Sequence, residues 1–185
     1  MTILTLPKMI YSNEGWPELE RMHLPLPNFL ALLVIPLALI PPVMLYYAGS
    51  NYGDLIVAGF GGKPWGTIAP LFFLTEIITV LIMGWMIGLV SESHGLKIGR
   101  SSAFMLASVA PIPMWLSSLS LFVPNLALDL GIALLALAAG CGLLYHGICA
   151  FCHTREDVSA AGITQTVMGA GLVSWVLLLA LIVAL

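Results

Sequence analysis

Residues 67–90 read TIAPLFFLTEIITVLIMGWMIGLV, and this stretch decides the fold. Glu76 is its only charged residue, and the run exceeds the roughly 20 residues that a helix needs to cross about 30 Å of hydrocarbon. Four other apolar runs of similar length lie on either side of it, separated by clusters of Gly, Pro, Asn or charged residues. We place the five spans at residues 27–48, 67–90, 101–122, 126–150 and 162–185.

The composition supports lipid as the solvent of this chain. Of its 185 residues, 60% are hydrophobic and 8% are Asp, Glu, Lys or Arg, whereas soluble domains carry about 25% charged residues. The net charge of −3 provides no basic patch for nucleic acid, and three cysteines do not suit a disulfide framework. The sequence predicts an all-α, polytopic membrane protein with five transmembrane helices, whose first partner is the lipid bilayer.

Residues 1–26 are predicted to form a short amphipathic N-terminal tail, and residues 27–185 a single five-helix domain. The tail mixes apolar side chains with charged ones, which allows two interpretations. Either a short helix after Pro17 lies in the membrane interface with Trp16 at headgroup depth, or the tail is a polar lead-in to the first span. Residues 1–6 lack the pattern of a removable signal peptide.

The basic residues predict the orientation, because Lys and Arg near span ends collect in the cytoplasm. Five of them fall on the side of the N-terminus, and one falls on the other side; in chain order the five are Lys8, Arg21, Lys97, Arg100 and Arg155, and the one is Lys63. We expect the N-terminus to lie in the cytoplasm and the C-terminus outside.

The sequence CAFCH, residues 149–153, matches the pattern by which c-type haem is attached. Haem attachment takes place outside the bacterial membrane, whereas the predicted orientation puts this motif inside. A metal is a second interpretation, because His146, Cys149 and His153 share one helix face and Cys152 lies within reach of it. One helix does not easily converge four ligands on zinc. We predict no cofactor and no metal, and interpret Cys149 and Cys152 as packing residues.

Two carboxylates lie at membrane depth, where an ionisable group marks a functional site by default. Glu76 is about a third of the way along the second span. Asp129 is about one turn into the fourth, where the helix dipole favours negative charge, so we interpret it as mainly structural. Glu76 is either functional or a structural group that is protonated or hydrogen-bonded to a neighbouring helix.

Two further patterns concern the helices themselves. Prolines within the spans predict helix breaks, at Pro36 in the first span and at Pro111 and Pro113 in the third. Such breaks either line a cavity, as in transporters, or are kinks packed against neighbours. Gly84 and Gly88 form a G-x-x-x-G pair that predicts close helix packing, within the bundle or between subunits.

Six residues recur in a known pattern, namely Pro36, Pro111, Pro124, Tyr145, Gly147 and Phe151. Together with the five spans and the amphipathic tail, they make this chain resemble the Yip-domain family, membrane proteins first known as partners of Ypt/Rab GTPases. The resemblance is greatest to the bacterial branch of that family, which implies a bacterial inner membrane. The resemblance implies a five-helix membrane domain with a cytoplasmic N-terminus, and it brings no catalytic residues. Eukaryotic members are similar to trafficking adaptors that act through cytoplasmic regions this chain mostly lacks. Relatives more typically have proline at Cys149, so CAFCH is a local departure.

Three hypotheses of function remain. The first is a non-enzymatic scaffold or accessory subunit that packs against other membrane proteins, or against itself, through small-residue helix faces. The second is a small transporter or channel that uses the broken third helix and Glu76. The third is a haem- or metal-binding electron-transfer subunit built on CAFCH and His146. We favour the first, because the sequence contains no catalytic constellation and no nucleotide-binding loop.

Overall fold

The computed structural model describes residues 6–13, 15–16, 25–56, 58–152 and 157–184, and in this part of the chain it is helical with no strand. Five helical stretches are long and apolar enough to cross a membrane, and we number them as the first to fifth span in chain order: Leu26–Leu55, Trp65–Ser93, Arg100–Phe122, Leu126–Phe151 and Val158–Ala180. The all-α, five-span prediction is confirmed, and the chain is a multi-pass membrane protein.

The first span consists of two helices, Leu26–Ala38 and Ile40–Ile56, which meet at Leu39. Pro36 lies inside the first of them, so the predicted break at Pro36 is displaced to Leu39. Two prolines, Pro41 and Pro42, follow that position and lie in the first turn of the second helix, where a missing N–H costs little.

The second helix of the first span also extends beyond the predicted boundary at residue 48, through residues that the sequence assigns to a loop. Its backbone departs from helical geometry at Tyr52, where φ is −146° and ψ is 17°. Tertiary packing holds this extension, because a Cβ at Gly49 would lie 2.1 Å from Cε2 of the buried Trp65. The helix that contains the fifth span, Asp157–Ala184, likewise begins before the predicted residue 162.

The third span is interrupted near its middle. A helix runs over Arg100–Val109 and another over Ile112–Ser117, and a 3-10 turn at Ser118–Phe122 completes the span. Pro111 lies at the interruption, whereas Pro113 occupies the first turn of the second helix, which tolerates it. Only three residues then separate this span from the fourth, so the two are antiparallel neighbours.

The third span is the central element of the bundle, and a larger share of it is buried than of any other span. Leu106 and Val109 have no exposed surface and pack with Leu143 and Ile148 of the fourth span. The outward faces of the other spans remain apolar, as at Leu32 and Leu135. Because lipid is as apolar as the core, such faces are what a membrane bundle requires.

The N-terminal segment, defined here as the described part of residues 6–16, folds back onto the fourth span. It contains a helix at Leu6–Tyr11, and Met9 and Trp16 have no exposed surface. The Trp16 ring meets that of Phe151 edge to face, with centroids 5.4 Å apart. Trp16 is therefore buried in protein rather than exposed to lipid headgroups, and the helix proposed after Pro17 lies outside the described residues.

Candidate site in the membrane core

A cavity of about 380 Å³ lies between the spans. We call the end of the bundle where the second and fourth spans begin the first-loop end, because the loop over residues 58–64 lies there. Since the first, third and fifth spans run the opposite way, their final turns meet at this end, and all five spans contribute residues to the cavity. Its size is within the range of about 300–1,000 Å³ that is typical of small-molecule pockets.

Both carboxylates singled out from the sequence line this one cavity. Glu76 lies beside the side chain of Trp115, a buried residue that follows the break in the third span. The other carboxyl oxygen of Glu76, Oε2, is buried and has no hydrogen-bond partner among the described residues. The Glu76 carboxyl group thus lies next to an indole and has one buried oxygen without a hydrogen-bond partner.

Asp129 lies in the first turn of the fourth span, whose N-terminus is capped by Asn125. The Asn125 side chain accepts a hydrogen bond of 3.2 Å from the backbone N–H of Leu128, and this fixes the turn that carries Asp129. Oδ1 of Asp129 is also buried without a partner in the described part of the chain. The helix dipole accounts for an acidic residue here, but it does not provide a partner for that oxygen.

Three hydroxyls of the cavity wall donate hydrogen bonds within their own helices. Ser117 donates to the carbonyl oxygen of Met114 at 2.7 Å, and Thr79 donates to that of Thr75 at 2.8 Å. The described lining residues include no Lys, Arg or His, and most of them are apolar. The cavity is therefore an apolar chamber that presents hydrogen-bond acceptors and no cation.

The interruption of the third span shapes this chamber, because Ala110, Pro111 and Met114 all line it. The sequence analysis singled out Glu76, Asp129 and Pro111 separately, and the structure brings them to one cavity. The sequence analysis missed Trp115, because its contact with Glu76 depends on how the chain turns at the break. Trp115 could have been identified as an indole at the same depth in the membrane as a carboxyl group.

The two glycines of the G-x-x-x-G pair have different surroundings. A Cβ at Gly84 would lie 2.5 Å from Cδ1 of Phe104, so this glycine packs the second span against the third. A Cβ at Gly88 would meet no heavy atom within 4 Å. Gly84 therefore serves packing inside the bundle, and Gly88 is left open.

At the opposite end of the bundle, one candidate ligand of the fourth span, His146, contacts the N-terminal segment. Nδ1 of His146 lies 2.9 Å from Oδ1 of Asn13. Cys149 is buried in the core, and Cys152 is half-buried. Burial, together with the neighbouring Cys149, raises the pKa of the Cys152 thiol, although the thiolate is the form that binds metal. His153 lies outside the described residues. Among the described residues, no group of three His, Cys, Asp or Glu side chains is placed to hold a metal ion.

A comparison with known protein families identifies the family of this chain. A family model described as the Yip1 domain matches residues 3–183, nearly the whole chain. The chain belongs to the Yip1 domain family. Searches of curated proteins and of solved structures find no match. Membership of the Yip1 family agrees with the five spans and confirms the resemblance drawn from the prolines and the segment at residues 145–151.

Proposed function

We propose that this Yip1-family protein is a non-enzymatic scaffold or accessory subunit that binds other integral membrane proteins, or a second copy of itself, through one face of its fifth span. The observation that carries the proposal is an exposed ridge of residues four apart on that span; its members are Ala161, Gln165, Gly169 and Val173. Residues at this spacing form the ridges by which helices pack. In lipid, small residues and amides at such a ridge promote helix association.

The ridge stands out because most other glycines of the spans are already used inside the bundle. A Cβ at Gly147 would lie 2.4 Å from Leu106, and one at Gly140 would lie 3.1 Å from the Ala110 carbonyl oxygen. Around Gly169, by contrast, no heavy atom lies within 4 Å of a Cβ position. Gln165, one helical turn away, adds an exposed amide that can bond across to a neighbouring helix.

We expect Gly169→Leu to abolish capture of membrane partners, or self-association, in native nanodiscs. The added side chain enters open space in this chain, so the fold should be retained, with a change in stability within about 0.5 kcal/mol. Gly131→Leu is the matched control, because Gly131 is an equally open glycine on the fourth span. The measurement is quantitative mass spectrometry of co-purifying proteins together with the oligomeric mass. Equal capture by the two variants would contradict the proposal, as would a wild-type protein that purifies alone as a monomer.

We further propose that the N-terminus is cytoplasmic, the C-terminus is outside and the membrane is a bacterial inner membrane. The five-to-one distribution of Lys and Arg supports this orientation. The two single-cysteine variants Gly62→Cys and Lys97→Cys are made in a cysteine-free form of the protein and expressed in intact cells. An impermeant thiol reagent is expected to label Gly62→Cys and to leave Lys97→Cys unlabelled. The reverse pattern of labelling would overturn the orientation.

The core cavity favours a second candidate function, a small transporter of cations. The broken third span and Glu76 line the same chamber, as expected where irregular backbone serves a passage. We expect proteoliposomes of the protein alone to take up radiolabelled choline, and Glu76→Gln to reduce that uptake to the level of empty vesicles. Glu92→Gln, at an exposed carboxylate outside the cavity, is the control. Wild-type vesicles no faster than empty ones would remove this candidate.

A further inference from the structure

We infer that the core cavity is a binding site for an aliphatic amine carried on an apolar chain, a cationic amphiphile that enters from the membrane. The inference concerns binding alone and requires neither transport nor the fifth-span ridge. It depends on the contents of the cavity wall, on the shape of the chamber and on the way in.

The first argument is that two hydrogen-bond acceptors without partners line the same chamber. Oε2 of Glu76 and Oδ1 of Asp129 are both buried, and neither has a partner among the described residues. Buried polar atoms in native proteins are nearly always paired, and an isolated carboxylate in an apolar site is strongly unfavourable. A ligand with N–H donors and a positive charge supplies what both atoms lack.

The second argument is the apolar remainder of the wall. Away from the carboxyl groups, the chamber is lined by aliphatic side chains and by methionines such as Met83 and Met114. Trp115 and Trp175 also line it, and the faces of such rings attract cations. This wall suits a hydrocarbon chain and does not suit a hydrated ion. Metal chelation is not supported either, since the described residues hold no cluster of three acidic, His or Cys groups.

The third argument is the position of the opening. Four lining residues of the fourth and fifth spans are also exposed on the outer surface of the bundle, namely Leu130, Leu172, Trp175 and Leu179. The chamber therefore opens sideways between these spans, where the surroundings are lipid. An amphiphile dissolved in the bilayer reaches this opening without crossing water.

The test uses the full chain in nanodiscs and the quenching of tryptophan fluorescence by bromine. The probe is ω-bromoundecylamine, and the comparison probe is ω-bromoundecanol, which has the same chain without the charge. Trp85 faces outward and reports quenching from the lipid phase, so Trp85→Phe is the parent protein. We expect the amine to give a saturable quenching component that the alcohol does not give.

Two kinds of variant assign that component to the cavity. Removal of charge by Glu76→Gln and by Asp129→Asn, singly and together, should weaken amine binding by about tenfold or more. Glu92→Gln should leave it unchanged. Ala133→Leu, which adds volume to the chamber without removing a carboxyl group, should also abolish the component. Its control is Ala127→Leu, at an exposed position of the same span that does not line the chamber.

Two results would overturn the inference. Equal quenching by the amine and the alcohol would overturn the inference, because it would show an apolar pocket that does not recognise charge. An amine component that persists in both the charge variants and Ala133→Leu would place the probe elsewhere and would overturn it too. If the carboxyl variants fail to fold, Ala133→Leu and its control still decide the matter. Failure here leaves the Gly169→Leu result untouched, and the reverse also holds.

Discussion

Trp16→Ala is expected to detach the N-terminal segment from the fourth span while the five spans stay folded. The indole has no exposed surface and packs edge to face on Phe151. Loss of a buried tryptophan typically costs about 3–5 kcal/mol, and here the lost free energy is that of docking the N-terminal segment onto the bundle. Hydrogen exchange at residues 9–16 should therefore rise to the rate of an undocked peptide.

The control for this experiment is Trp85→Ala, because Trp85 is 60% exposed on the outer face of the second span. That change should leave exchange in the N-terminal segment unaltered. If Trp16→Ala also leaves it unaltered, the segment is held by other contacts, such as the one between Asn13 and His146, and the account of Trp16 as its anchor is wrong.

Gly84→Val is expected to destabilise the bundle, because its side chain would overlap the ring of Phe104. Overpacking of this kind costs typically about 1–3 kcal/mol, and the second and third spans are extensively packed against each other. The measurement is the midpoint of unfolding in mixed detergent micelles as the denaturing detergent is increased.

Gly88→Val provides a matched comparison one helical turn away on the same span. Its Cβ meets open space, so the unfolding midpoint should change little, by the equivalent of about 0.5 kcal/mol or less. Equal destabilisation by the two substitutions would mean that helix propensity rather than the Phe104 contact explains the loss. The G-x-x-x-G pair would then have no division of roles.

The five spans were predictable from hydropathy alone. A long apolar run within lipid must form a helix, because its backbone N–H and C=O groups have no water to bond to. The boundaries of the spans were less predictable. The helix through Tyr52 extends into Gly-rich sequence because Trp65 packs over Gly49, a contact between residues in different spans. Pro36 is tolerated inside a helix, while the interruption falls at Leu39. Local propensity did not determine either outcome.

The candidate site was predictable in its members and not in its assembly. Glu76 and Asp129 are conspicuous as carboxyl groups at membrane depth, and the parallel direction of the second and fourth spans brings them to the same end of the bundle. Which side of each helix faces inward could not be read from the sequence. Lipid and core are equally apolar, so the polar–apolar pattern that orients a helix in a soluble protein is absent. Gly84 packs inside the bundle and Gly169 faces open space, and the sequence around them does not distinguish the two positions.

The N-terminal segment occupies a groove that the fourth span would otherwise offer to a neighbour. A Cβ at Gly142 would lie 2.5 Å from the carbonyl oxygen of Ile10, and one at Gly147 would lie 2.9 Å from the ring of Trp16. As a tethered occupant, the segment has an effective concentration of about millimolar at this groove. A foreign helix directed at the same two glycines must displace a competitor that cannot diffuse away. The N-terminal segment therefore covers these two glycines within the chain itself, and we expect its removal to expose both glycines to other membrane helices.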